Sequence, residues 1–170
     1  ARLAGHLDVP PPRRIGAQRI RALALEDAYQ TLVNPGVPLP AAVTHLTGIR
    51  QRDLPGAPGV MTAVRRFVAY AGDAALVAHN ARFDLAFLDR EVERLTGRRI
   101  AAPVVDTVWL ARRLLEGRTR RVGLAALAHF FGVPTAPCHR ALPDARATAE
   151  ILLVLLGLAQ ERGARTLADL

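Results

Sequence analysis

Two short stretches of this sequence concentrate residue types able to do chemistry. The first is His79-Asn80-Ala81-Arg82-Phe83-Asp84-Leu85-Ala86-Phe87-Leu88. A short apolar run, Ala74–Ala78, precedes it and reads as a buried strand. Phe83, Phe87, Leu88 and Val92 then recur at helical spacing. Asp84 is therefore expected near the carboxyl end of a strand and in a first helical turn, where open α/β sheets place ligands. A carboxylate there can bind a divalent cation through oxygen. The same residues also allow a plainer reading, with Asn80 as the helix cap and Asp84 as a partner of the helix dipole.

The second stretch is His139-Arg140-Ala141-Leu142-Pro143-Asp144-Ala145. Proline is tolerated in a helix only within its first turn, which puts Asp144 at the start of a last helix and His139 just before it. An imidazole with an unperturbed pKa of about 6.5 on a loop suits a general base. A surface histidine and a dipole-paired aspartate are the ordinary alternatives, and neither spacing is specific by itself.

The elements that must position these groups follow from periodicity and punctuation. Residues 1–13 read as a linker or irregular arm: Ala1–Leu7 fits the end of a helix, and Pro10-Pro11-Pro12 can continue neither helix nor central strand. Ile15–Leu23 and Tyr29–Val33 are expected strands, with Ala24–Ala28 as their turn. Asn34-Pro35-Gly36 stops the second strand, and a short helix over Ala41–Leu46 is closed by Gly48. Helices are expected over Pro58–Ala71, Phe83–Leu95, Gly123–Phe131 and Ala141–Leu158. Val104–Val105 is a short strand, after which Asp106 or Thr107 caps a helix running to Leu115. The tail Arg162–Leu170 either folds on its own domain or docks a neighbour. Strands early and helices late imply an α/β fold, a mixed β-sheet flanked by helices.

The bulk numbers set the frame. The 170 residues suit one domain, and 51% hydrophobic content suits one core. No apolar run has the length of a membrane helix and no secretory leader opens the chain, so the expected compartment is the cytoplasm, with no membrane partner. The single cysteine, Cys138, excludes an internal disulfide framework. The net charge of +8 favours an anionic partner such as nucleic acid. All 23 basic residues are arginine, which GC-rich coding would also produce.

Taken together, the two stretches resemble the second and third exonuclease motifs of the DnaQ-like (DEDDh) 3′–5′ exonuclease superfamily, the family of the epsilon proofreading subunit of bacterial DNA polymerase III. Thr31–Gly36, Val43–Ile49 and Val105–Arg112 resemble further family stretches in the same order. The resemblance covers residues 14–170 and implies a ribonuclease H-like domain. It implies two divalent cations, Mg²⁺ or Mn²⁺, with Asp84 and Asp144 as metal ligands and His139 as the base that takes the proton of the attacking water. Thr44, His45, Leu46 and Thr47 would line the pocket for the terminal nucleotide, with Asn80 and Phe83 beside it; a turn packed through Leu46 and Ile49 is the alternative for that loop. The substrate would be the 3′ end of a nucleic acid, DNA in preference to RNA, and the product a nucleoside monophosphate. A polymerase or another domain of a larger chain is the implied partner.

One family motif has no counterpart. Asp-x-Glu-Thr-Thr-Gly belongs on a first central strand, but Arg2 stands where its glutamate is expected, and an arginine repels a cation. The first strand is thus missing or degenerate. Three explanations compete: a domain degenerated to a module that binds nucleic acid or docks a partner, a strand missing from this sequence, and carboxylates supplied by a partner domain or chain. These three readings stay open on the sequence alone.

Overall fold

The computed structural model describes residues 14–135 and 141–170. The expected arm over residues 1–13, together with Cys138 and His139, lies outside the described residues.

The chain opens with a hairpin of β1 (Arg14–Arg21) and β2 (Ala24–Leu32), antiparallel, with Arg14 opposite Leu32 and Arg21 opposite Ala24. The turn is Ala22-Leu23, not Ala24–Ala28 as expected. Both residues are left-handed, at φ 48° and 62°. A two-residue turn of this kind matches the strand twist, but asparagine and glycine are its usual occupants, and neither was present to announce it. The register shifts between Gln18 and Ile20. Arg19, at that irregularity, pairs with Asp27 at 2.9 Å and lies 4.5 Å over the Tyr70 ring.

α1 (Ala41–Thr47), a single 3-10 turn (Gln51–Asp53) and α2 (Val60–Ala71) come next. β3 (Leu76–Ala78) leads into α3 (Arg82–Thr96), and β4 (Val104–Asp106) leads directly into α4 (Thr107–Leu114). α5 (Leu124–Phe131) and the long α6 (Ala141–Glu161) complete the helices, and a 3-10 turn (Leu167–Asp169) follows. The architecture is mixed α/β, as the order of elements implied. Its described strands form two pairs, antiparallel β1–β2 and parallel β3–β4. Among the described residues no ladder joins the pairs, and α6 packs against β1, β2 and β3.

Two cores result. One gathers Leu110, Leu114, Leu115, Leu127, Ile151 and Leu155 from α4, α5 and α6. The other gathers Ile15, Val33, Val64, Phe67, Phe87 and Val92 between the hairpin, α2 and α3. Each fully buried Leu, Ile or Phe contributes about 1.5–3 kcal/mol. Gly16 is the closest joint between hairpin and helix. A Cβ there would lie 2.5 Å from the backbone of Ala141 and Leu142, so only glycine lets the first turn of α6 rest on β1. The tail folds on its own domain: Arg162 donates to the Leu114 carbonyl at 2.7 Å, and Arg113 to the Leu170 carbonyl at 2.8 Å.

Candidate functional site

The parallel register of β3 and β4 sets Ala78 opposite Asp106. The two strands end level, and α3 and α4 begin side by side at their carboxyl ends. The chain leaves β3 through His79 and Asn80, which is left-handed at φ 68°. Asparagine is one of the few residues that adopts this conformation readily. It is not the helix cap: Ala81 holds that position and offers no capping side chain.

Asp106 does this work instead. Its Oδ1 accepts the Val108 N–H at 2.8 Å, capping α4, and the Asn80 N–H at 3.1 Å. Its Oδ2 accepts the Ala81 N–H at 3.0 Å. One carboxylate thus caps its own helix and satisfies two donors of the turn that precedes the neighbouring one, joining both helix starts. Thr107, fully buried, donates to the Ala78 carbonyl at 3.3 Å and meets His79 Nδ1 at 2.9 Å. Burial pushes the His79 pKa down, while the Asp106 charge and a hydrogen bond with the Val122 backbone act against that. A neutral imidazole follows at neutral pH.

Asp84 lies in the first turn of α3. The residue keeps solvent access, yet the protein around its carboxyl desolvates it enough to push its pKa up. Its own N–H pulls the pKa back, and the Asp106 charge adds to the rise. Among the described residues Asp84 has no ion pair. A desolvated carboxylate beside a second carboxylate, with no cation paired to it, is an environment that a bound cation would relieve. Asp84 therefore fits a metal. Among the described residues no group of three or more His, Cys, Asp or Glu side chains could hold one, so any complete site needs donors beyond them.

The other expected residues divide. Asn80 and Phe83 share the turn with Asp84, and Phe83 is 53% exposed. Asp144 lies in the first turn of α6 as expected, on the helix end that Gly16 receives. His139 falls outside the described residues. Thr44, His45, Leu46 and Thr47 lie on α1, where Thr47 Oγ1 donates to the Val43 carbonyl and Gly48 closes the helix on the Thr44 carbonyl. No described hydrogen bond joins α1 to the turn of Asp84. The sequence marks Asp106 or Thr107 as the cap of α4; the grip of Asp106 on the preceding turn and the contact of His79 with Thr107 are not written in it.

The exonuclease family model (RNase_T) matches residues 9–152. The chain is 36% identical over 156 residues to DNA polymerase III PolC-type of Caldanaerobacter subterraneus subsp. tengcongensis, a match covering 92% of this chain and 11% of that protein. It is 44% identical over 142 residues to DNA polymerase III subunit epsilon-like protein of Rhodobacter capsulatus, covering 82% and 20%. This chain therefore spans a small fraction of the relatives it matches. The solved structure of exonuclease X in complex with 5′ overhanging duplex DNA superposes with a TM-score of 0.70 at 24% identity, covering 87% of this chain and 84% of that one. The fold is that of the ribonuclease H-like exonucleases.

Proposed function

Since the chain belongs to the exonuclease family, we propose that it is a 3′–5′ exonuclease domain, residues 14–170, of a larger cytoplasmic replication or repair protein. Its substrate is a DNA 3′ end in preference to RNA, its product a nucleoside monophosphate, and its partner a polymerase or another domain of its own chain. The observation that carries this reading is the place of Asp84: the first turn of α3, at the carboxyl end of parallel strands, after a turn that the Asp106 cross-tie holds.

We assign Asp84 and Asp144 as ligands of divalent cations, Mg²⁺ or Mn²⁺. When bound, such cations activate water and stabilise a leaving 3′-oxygen. His139, on the segment that enters α6, takes the proton of that water. Asn80 and Phe83 meet the terminal nucleotide beside Asp84, the exposed ring offering a face for a base. Thr44, His45, Leu46 and Thr47 close the other side of that pocket.

The test is a 5′-labelled single-stranded oligonucleotide incubated with Mn²⁺. Progressive shortening from the 3′ end supports the proposal; intact substrate at high protein concentration overturns it. His139→Ala should lower turnover about 10²–10⁴-fold, and unchanged turnover removes the role given to that imidazole. Asp84→Asn and Asp144→Asn should each raise the metal concentration required. A second reading is a catalytically degenerate module that binds nucleic acid or docks a partner, and Arg2 at the expected position of a first-motif glutamate favours it. Retained oligonucleotide binding with no shortening is its signature.

A further inference from the structure

We propose that the α4–α5 face is a track for single-stranded nucleic acid leading away from the candidate site, formed by Trp109, Arg112, Arg113, Arg118, Arg121 and Phe130. This rests on the proposed function and extends it to where the strand runs. Three observations carry it.

The first is charge. Between Thr107 and Gly123 five arginines stand against one acidic residue, Glu116, whereas Arg82–Arg99 sets five against four. Arg112, Arg113, Arg118, Arg120 and Arg121 are all exposed, and none forms an ion pair among the described residues. Arg113 donates to the Leu170 carbonyl, so the charge open to phosphate is that of Arg112, Arg118, Arg120 and Arg121 together with what Arg113 leaves unused.

The second is interleaved aromatics. Trp109 is 55% exposed and Phe130 39% exposed, although the rest of α4 turns Thr107, Leu110, Ala111 and Leu114 inward. The Arg113 guanidinium lies 5.4 Å from the Trp109 ring centre and that of Arg118 lies 5.8 Å from the Phe130 ring. Each pair sets a flat apolar face for a base beside a fixed cation for the backbone, the combination that binds single strands without reading sequence. A protein-docking face would have little use for so many guanidiniums without an acidic partner among the described residues.

The third is continuity. Trp109 follows Asp106 by less than one helical turn, and Asp106 holds the turn before α3. The strip therefore begins beside the turn that holds Asp84 and leads away from it along α4.

Trp109 is the chain's single tryptophan, so its fluorescence reports on the track alone. The full chain is titrated with an unlabelled dT12 oligonucleotide. Saturable quenching is expected, and Trp109→Leu should weaken binding, read by anisotropy of labelled dT12, about tenfold with an unchanged melting temperature. Arg112→Gln combined with Arg121→Gln should flatten the dependence of log K on log salt by about 1.4, two phosphates' worth for a single strand. Binding without quenching, wild-type affinity in Trp109→Leu, or no dT12 binding at all overturns the track. The nuclease reading is judged separately, on cleavage of a dinucleotide too short to reach the strip. Quenching without dinucleotide cleavage keeps the track and removes the nuclease; cleavage without quenching does the reverse.

Discussion

Replacing Asp106 with asparagine tests the cross-tie directly. The carboxylate accepts three backbone N–H bonds, from Asn80, Ala81 and Val108. An amide has one acceptor oxygen. Placed at the Oδ1 position it keeps Asn80 and Val108 and turns its NH₂ against the Ala81 N–H; flipped, it keeps Ala81 alone. The better arrangement loses one bond and the charge assistance of the other two. Bonds to a charged group contribute about 1.5–3 kcal/mol and neutral ones about 0.5–1.5. Asn80 is exposed, so water recovers part of the loss, and a net destabilisation of about 2 kcal/mol is expected. For a chain of this length that lowers Tm by roughly 4–8 °C. A thermal melt at pH 7 reads the global effect, and amide hydrogen exchange at Ala81 reads the local one. A further consequence separates a cross-tie from mere loss of stability. The Asp106 charge helps hold the Asp84 pKa up, so a neutral side chain should let it fall towards the ordinary value, with desolvation still keeping it raised. Carboxyl ¹³C titration follows that shift. A melt within about 1 °C of wild type, with Asp84 titrating as before, would refute the reasoning.

Other substitutions probe the remaining joints. Asp84 is raised in the folded state, so its ionisation works against folding: stability is fully present below its unfolded pKa and is lost as pH rises through the folded value. Asp84→Asn should therefore melt above wild type at pH 7 without added metal, with the gain vanishing in acid; equal melts at both pH values would contradict the desolvation. Gly16→Ala forces a Cβ into the backbone of Ala141 and Leu142 and should cost about 1–3 kcal/mol by denaturant unfolding; no loss would mean that α6 does not rest there. Leu23→Gly relieves a left-handed residue that is 55% exposed, and should stabilise the protein by about 1 kcal/mol, measured the same way.

The sequence by itself determined the helices and the residues worth testing. The spacing of Phe83, Phe87, Leu88 and Val92 named α3 within a residue of each end, because a helix face is written in local periodicity. Pro143 placed Asp144 in the first turn of α6 because the ring forbids any later position. The order of five short stretches points to the exonuclease family, and the family match over residues 9–152 agrees. The hairpin turn was misplaced because Ala22 and Leu23 adopt left-handed conformations that their side chains disfavour, held there by strand pairing. Only the tertiary structure decided which groups meet. That Asp106 serves a turn 26 residues earlier, that Gly16 receives α6 and that Thr107 meets His79 are contacts between segments remote along the chain. Local patterns carry no information about such meetings, since they depend on strand register and on which helix covers which strand.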